Sequence, residues 1–246
     1  MNASKTNTFD IMLLVARPAA GKSEIIAHLK STPIEKRIPL YHIGEFEELD
    51  DFPMLWTWFE EDSILSRLGH QRLHTDDTSN FLYPYLWDLL IERINLEYSK
   101  TLRDEPDYHD RKTMIIEFAR GRSHGGFSRA FEYLSKEIAD RLAILYLNVS
   151  WEESLRKNRG RYNPDRPDSI LEHGLSDEKM ENLYRHVDWD ELTAGQPDTV
   201  QIQGVSVPYV VFENEDDVTS QGGELLGERL QEVLSQLHKK YIESRK

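Results

Sequence analysis

Ile11-Met12-Leu13-Leu14-Val15-Ala16-Arg17-Pro18-Ala19-Ala20-Gly21-Lys22-Ser23 runs from an apolar strand into a short turn, and Ile25, Ile26 and Leu29 follow at helical spacing. A strand, a turn ending Gly-Lys-Ser and a helix form the context in which backbone N–H groups can curl around phosphate oxygens. A lysine then neutralises outer phosphates, a hydroxyl meets Mg²⁺, and the helix N-terminus adds a favourable dipole. Pro18, Ala19, Ala20, Gly21, Lys22, Ser23 and Glu24 are therefore the expected phosphate-binding residues, with Ser23 also on the metal. The usual spacing is G-x-x-x-x-G-K-[ST]. Ala16 stands in its first glycine position, and Arg17-Pro18-Ala19-Ala20 is stiffer than a glycine-rich loop. An ordinary strand-to-helix turn is the alternative.

Outward from this stretch, apolar runs at residues 9–16, 38–43, 113–118, 142–149 and 207–212 read as strands, with helical patterns between them. Such alternation predicts a three-layer α/β/α fold with a five-stranded, mostly parallel sheet, and ligands at the carboxyl ends of its strands. The 246 residues suffice for one domain spanning 1–246. Residues 50–111 read as a helical, acceptor-binding insertion, with helices near 53–68 and 81–102. Trp56, Trp58, Trp87, Tyr83 and Tyr85 fall there, and their spacing favours core over ligand-stacking surface. Residues 224–237 read as a closing amphipathic helix.

Composition narrows the function. Thirty Lys and Arg against 44 Asp and Glu give a formal net charge of −14, which argues against nucleic acid as a partner. With no cysteine, disulfides, thiolate metal sites and a cysteine nucleophile are excluded. No stretch has the roughly 20 apolar residues of a membrane span, and residues 1–8 are polar, so a cytoplasmic location without membrane association is expected.

Carboxylates and arginines follow the strands. In Asp50-Asp51-Phe52-Pro53, either acid could take a proton from a substrate hydroxyl or hold Mg²⁺ through water, with Asp51 favoured as nearer the helix entrance. A solvated helix cap is the competing reading. Glu117 ends the third strand, where an acid can serve Mg²⁺ or its water shell; a structural pair with Arg120 or Arg122 is the alternative. Arg120, Arg122 and Arg129 could hold an acceptor's anionic group, Arg120 first among them because it lies three residues beyond Glu117. Residues 156–166 carry five basic side chains and one acid, an inversion of the overall charge that suits a lid over phosphates, placed at 156–178. His70 and His74 have metal-ligand spacing, but Gly69 and polar neighbours weaken the helix it requires.

In this order the phosphate loop, the Asp50-Asp51 element, Glu117 with Arg120, and the basic segment make residues 9–237 resemble the P-loop kinases of the nucleoside and nucleotide kinase group. Asp50-Asp51-Phe52-Pro53 is similar to the D-D-F-[YH] segment of uridine-kinase-like enzymes, where the acid lies near the acceptor hydroxyl. The resemblance implies transfer of the γ-phosphoryl of ATP (or GTP) to a small-molecule acceptor with Mg²⁺, nucleosides and nucleotides being candidates. It implies phosphate and Mg²⁺ binding by Gly21, Lys22 and Ser23, lid roles for Arg156, Arg159 and Arg161, and adenine contact near Asn214. Catalytic roles would fall to Lys22, Asp51, Arg120 and the lid arginines, and metal binding to Ser23, Glu117 and Asp51. Two further readings are a nucleotide-responsive module with little phosphoryl transfer, motivated by Ala16, and a polynucleotide end kinase, motivated by the basic segment.

Overall fold

The computed structural model describes residues 7–161, 165 and 175–245. Strand β1 (Ile11–Ala16) leads through the quoted turn into α1 (Lys22–Ser31) and α2 (Ile34–Tyr41). Strand β2 (Glu45–Asp50) runs directly into α3 (Asp51–Arg67), and α4 (Tyr85–Asp104) and α5 (Tyr108–Arg111) precede β3 (Lys112–Phe118). A 3₁₀ turn at Arg122–His124, α6 (Gly126–Tyr133) and α7 (Lys136–Ala139) lead to β4 (Leu142–Asn148). Then come α8 (Trp151–Arg161), α9 (Asp177–Tyr184), α10 (Trp189–Leu192), β5 (Thr199–Ile202), β6 (Val205–Glu213), α11 (Val218–Gln221) and α12 (Gly223–Glu243).

The strands form one sheet in the order β2-β3-β1-β4-β6-β5, parallel except for the β5–β6 hairpin. Alternation along each strand divides the core. Ile11, Leu13 and Val15 face α4 and α6 with Ile91, Ile94 and Phe127, whereas Met12, Leu14 and Ala16 face α1 and α12 with Ile25, Leu29 and Leu230. Helices thus cover both faces of the sheet, giving three layers. β1 lies between β3 and β4, so the chain leaves its carboxyl end in a crevice of the kind where open α/β sheets take ligands.

Six strands replace the expected five, and the second lies elsewhere. Residues 38–43 are not a strand: Ile34–Tyr41 is helical, with Arg37 and Tyr41 buried one turn apart. Pro39 could not donate to a sheet ladder. The strand is the acidic Glu45–Asp50, whose outer edge is unpaired, so water takes its charges. Lys30 and Lys112 neutralise Glu48 and Glu47 at 2.7 and 2.8 Å. The added strand, β5, is joined to β6 through Gln203 and Gly204, both at positive φ (51° and 77°), the two-residue turn that matches strand twist.

Between β2 and β3, α3 and α4 form the expected helical insertion. The buried carboxylate of Asp62 ties down the turn between them, accepting from the N–H groups of Leu73, His74 and Thr75 at 2.6–2.9 Å and from the Thr75 hydroxyl at 2.8 Å. His70 and His74 lie in this turn rather than on a helix, and His74 stacks on Trp58 at 5.0 Å.

Candidate functional site

Ala16, in the first glycine position of the motif, is the last residue of β1 and fully buried. Its backbone is extended, so no glycine is required there. The turn that follows instead goes left-handed at Ala19 (φ 57°) and Gly21 (φ 111°). Left-handed residues in tight turns aim successive N–H groups to one side and build anion-binding concavities, and a left-handed alanine is a strain that surrounding contacts must hold. Those contacts come from below. Arg17 donates to the Val149 carbonyl at 3.1 Å, the Ser154 hydroxyl to the Pro18 carbonyl at 2.8 Å, and the Asn214 amide to the Ala20 carbonyl at 2.9 Å. A Cβ on Gly21 would sit 2.5 Å from Thr219 Oγ1 and 2.9 Å from Asn214 Nδ2, so glycine is fixed by space as well as by φ.

Asp50 and Glu117 are register partners at the carboxyl ends of β2 and β3. Along β3, Ile115 faces α1 while Ile116 faces α4, so Glu117 continues the row on the α1 side, and Asp50 stands beside it. Burial, and then repulsion from Glu117 and Asp51, pushes the Asp50 carboxyl up to about 8, although it accepts the Phe52 N–H at 2.9 Å as the N-cap of α3. Burial likewise raises Glu117, with Lys22 pulling the other way. Both carboxyls are raised chiefly by burial, and a divalent cation placed beside them would favour their charged forms. Among the described residues no group of three or more His, Asp or Glu side chains is arranged to hold a metal by itself. Ser23 with Asp50 or Glu117, completed by water and phosphate oxygens, is the donor set that suits Mg²⁺.

Asp51, one residue on, does something different. Its Oδ2 accepts from Arg120 Nη1 at 2.5 Å, and Arg120 is 2% exposed. The guanidinium also donates to the carbonyls of Ala119 and Trp87 and lies 5.2 and 5.3 Å from the Trp87 and Phe118 ring centres. Asp51 is thus bound to Arg120, and Asp50 is the acid beside Glu117. The β2–β3 register, invisible in the sequence, sets Asp50 rather than Asp51 beside Glu117. All three acids, with Arg120, Lys22, Ser23 and Glu24, line a cavity of about 850 Å³ that also takes in Pro18, Ala19 and Ala20.

The basic segment separates by helical geometry. Arg161 and Asn158 lie on the cavity side of α8, and Arg161 approaches Glu24 at 4.0 Å. Arg156 pairs with Glu153 and Asp217, and Arg159 with Asp177, on the exposed side. Neither lines the cavity: each lies two positions before a cavity residue, Asn158 or Arg161, which is about 200° around a 3.6-residue helix. Of the expected lid, residues 162–164 and 166–174 lie outside the described residues. Asn214, expected near the adenine, lies behind the turn. It is 0% exposed, its amide is donated to Ala20 and Thr219, and it props the turn rather than facing the cavity. Arg122 pairs with Glu191, and Arg129 with Asp88 at 2.6 Å.

Sequence reasoning passed over Ser154, Lys157 and Thr219. Buried Lys157 bridges Asp217 and Thr219 at 2.5 and 3.1 Å, behind the turn. Nothing in their local pattern marks the first two, because Ser154 acts on Pro18 across 136 positions and Lys157 on Thr219 across 62. No protein-family model matches the chain, and no curated protein aligns with it.

Proposed function

We propose that the protein is an ATP- and Mg²⁺-dependent phosphotransferase that moves the γ-phosphoryl group to a hydroxyl of a small-molecule acceptor. One observation carries this reading: the left-handed turn ending Gly21-Lys22-Ser23 opens into the same cavity as Asp50, Glu117 and the Asp51–Arg120 pair. In it, the turn's N–H groups and Lys22 hold the phosphates, and Ser23 with Asp50 or Glu117 holds Mg²⁺. The metal, when bound, neutralises charge on the phosphate oxygens. Asp51, oriented through Oδ2 by Arg120, positions the acceptor hydroxyl and takes its proton. A bond forms between the acceptor oxygen and the γ-phosphorus as the bond from that phosphorus to the bridging oxygen breaks, and ADP departs with the electron pair. Arg161, across the cavity, offsets charge that develops on the transferring group. GTP fits the same scheme, since no base-reading residue is assigned.

Of the five basic residues in the segment behind the polynucleotide reading, Arg156 and Arg159 pair with carboxylates. The test is acceptor-dependent ADP release across a panel of small alcohols, in wild type and Lys22→Ala. Release that vanishes with Lys22 is the expected result. Equal release from both proteins, or nucleotide binding with no product from any acceptor, would refute transfer by this site.

A further inference from the structure

A second cavity, of about 960 Å³, adjoins the first and shares Phe52, Leu55, Trp87, Leu175 and Tyr184 with it. A molecule seated in the outer space therefore reaches the wall on which Asp51 and Arg120 stand. The outer wall is a run of rings: Trp56 and Phe59 are 6.4 Å apart, Phe59 and Phe81 5.9 Å, and Phe81 and Trp87 4.7 Å. Trp87 in turn stacks on His124 at 3.8 Å. Contiguous aromatic faces around a space of this size suit a flat, apolar body.

Charge points the same way. The arginines placed to receive an acceptor's phosphate or carboxylate are already engaged: Arg120 by Asp51, Arg122 by Glu191 and Arg129 by Asp88. Of the charged side chains in the outer wall, Glu60 accepts the Trp56 indole N–H, Lys179 donates to the Ser79 carbonyl, and Arg67 is exposed. His124 adds a neutral polar group. It is 5% exposed, and burial beside Arg120 pushes its imidazole down to about 3. Its Nδ1 accepts from the Gly121 N–H at 3.4 Å, which leaves the hydrogen on Nε2, and Nε2 has no partner among the described residues. His124 lines this cavity, and a buried donor without a partner is costly.

Resting on the phosphotransferase reading, we propose that the acceptor is an uncharged aromatic or heteroaromatic alcohol. Its ring system occupies the outer cavity against Trp56, Phe59 and Phe81, and its hydroxyl reaches Asp51. Phosphorylated metabolites and polyols are disfavoured as acceptors, the first because the outer wall has no uncommitted buried arginine among the described residues and the second by the apolar wall.

The experiment titrates three probes into the full chain by calorimetry: 2-(2-naphthyl)ethanol, its phosphate monoester and myo-inositol. ATP with Mg²⁺ is titrated in parallel. The naphthyl alcohol should bind, with the ester and inositol each weaker by about tenfold or more, equivalent to about 1.4 kcal/mol. Phe59→Leu and Phe81→Leu keep apolar bulk but remove a ring. Each should weaken the alcohol by about three- to tenfold, the worth of one aromatic contact, with circular dichroism and melting curves confirming native folding. An ester that binds as tightly as the alcohol, or affinity indifferent to both ring substitutions, would overturn the assignment. Nucleotide binding without alcohol binding would also overturn it while leaving the phosphotransferase reading intact. Alcohol binding that both ring substitutions weaken, without any nucleotide binding, would support the cavity's chemistry and sink the phosphotransferase.

Discussion

Asp51→Ala strands the Arg120 guanidinium, 2% exposed, with the Ala119 and Trp87 carbonyls and two aromatic faces as its remaining partners among the described residues. At the 2.5 Å contact the gross attraction is about 7 kcal/mol for an effective dielectric near 20. Desolvating two ions offsets most of this, so the intact pair adds little net stability, whereas removing one partner leaves a buried charge and costs about 3–5 kcal/mol. For a chain of this length that lowers Tm by about 6–20 °C. The double variant Asp51→Leu/Arg120→Met removes both charges and should recover most of the loss, since apolar replacement of a buried pair is often neutral or better. Urea denaturation of wild type, each single variant and the double variant closes the cycle. Asp51→Ala within about 1 kcal/mol of wild type, or a double variant that loses as much as both singles added together, would refute the reasoning. If the pair served folding alone, the stabilised double variant would keep Lys22-dependent turnover; it is expected to lose it.

Gly21→Ala drives a Cβ into Thr219 and Asn214 at a φ of 111°, so the Asn214–Ala20 prop should break and nucleotide affinity fall by about tenfold or more; calorimetry with ATP and Mg²⁺ reads this, and unchanged affinity would count against it. Asp50, raised to about 8, holds a proton in the folded state that the unfolded chain releases near pH 4. Metal-free stability should therefore fall as pH rises through that window, by at most about 1.4 kcal/mol per unit from this group. Asp50→Asn should flatten the decline in denaturation series run with chelator, and a slope unaffected by the substitution would contradict the shift. Arg161→Ala should weaken nucleotide binding, whereas Arg159→Ala, an exposed partner of Asp177, should change stability by less than about 1 kcal/mol and leave binding alone. Equal effects of the two on affinity would place the lid differently.

The elements legible in the sequence are those whose physics is local or strongly patterned. β1, β3, β4 and β6 are apolar along most of their length because helices cover both faces, and the turn after β1 carries its own signature. β2 was not legible: an edge strand with acids turned to water looks like a loop, and the apolar residues before it belong to a helix packed under the sheet. β5 is four residues long and depends on a hairpin partner. Glu117 could be found as the lone acid closing an apolar strand. The different surroundings of Asp50 and Asp51 could not, since they rest on the register with Glu117 and on an arginine 69 positions away. Trp58 is core, as its spacing suggested, but Tyr83 and Tyr85 are 49% and 56% exposed and stack on each other at 5.2 Å. Helical spacing shows which residues share a face and not whether anything covers it. Among the described residues no helix is long and apolar enough to cross a membrane.

The most direct test of the central claim is a thermal-shift comparison of wild type and Lys22→Ala with ATP and GTP, each with and without Mg²⁺. Ligand that binds only the native state raises Tm, by about 2.7 kcal/mol of added stability at a hundredfold excess over Kd. The account predicts a Mg²⁺-enhanced shift in wild type that Lys22→Ala loses. No shift with either nucleotide at millimolar concentration in folded protein, or the same shift in both proteins, would contradict it.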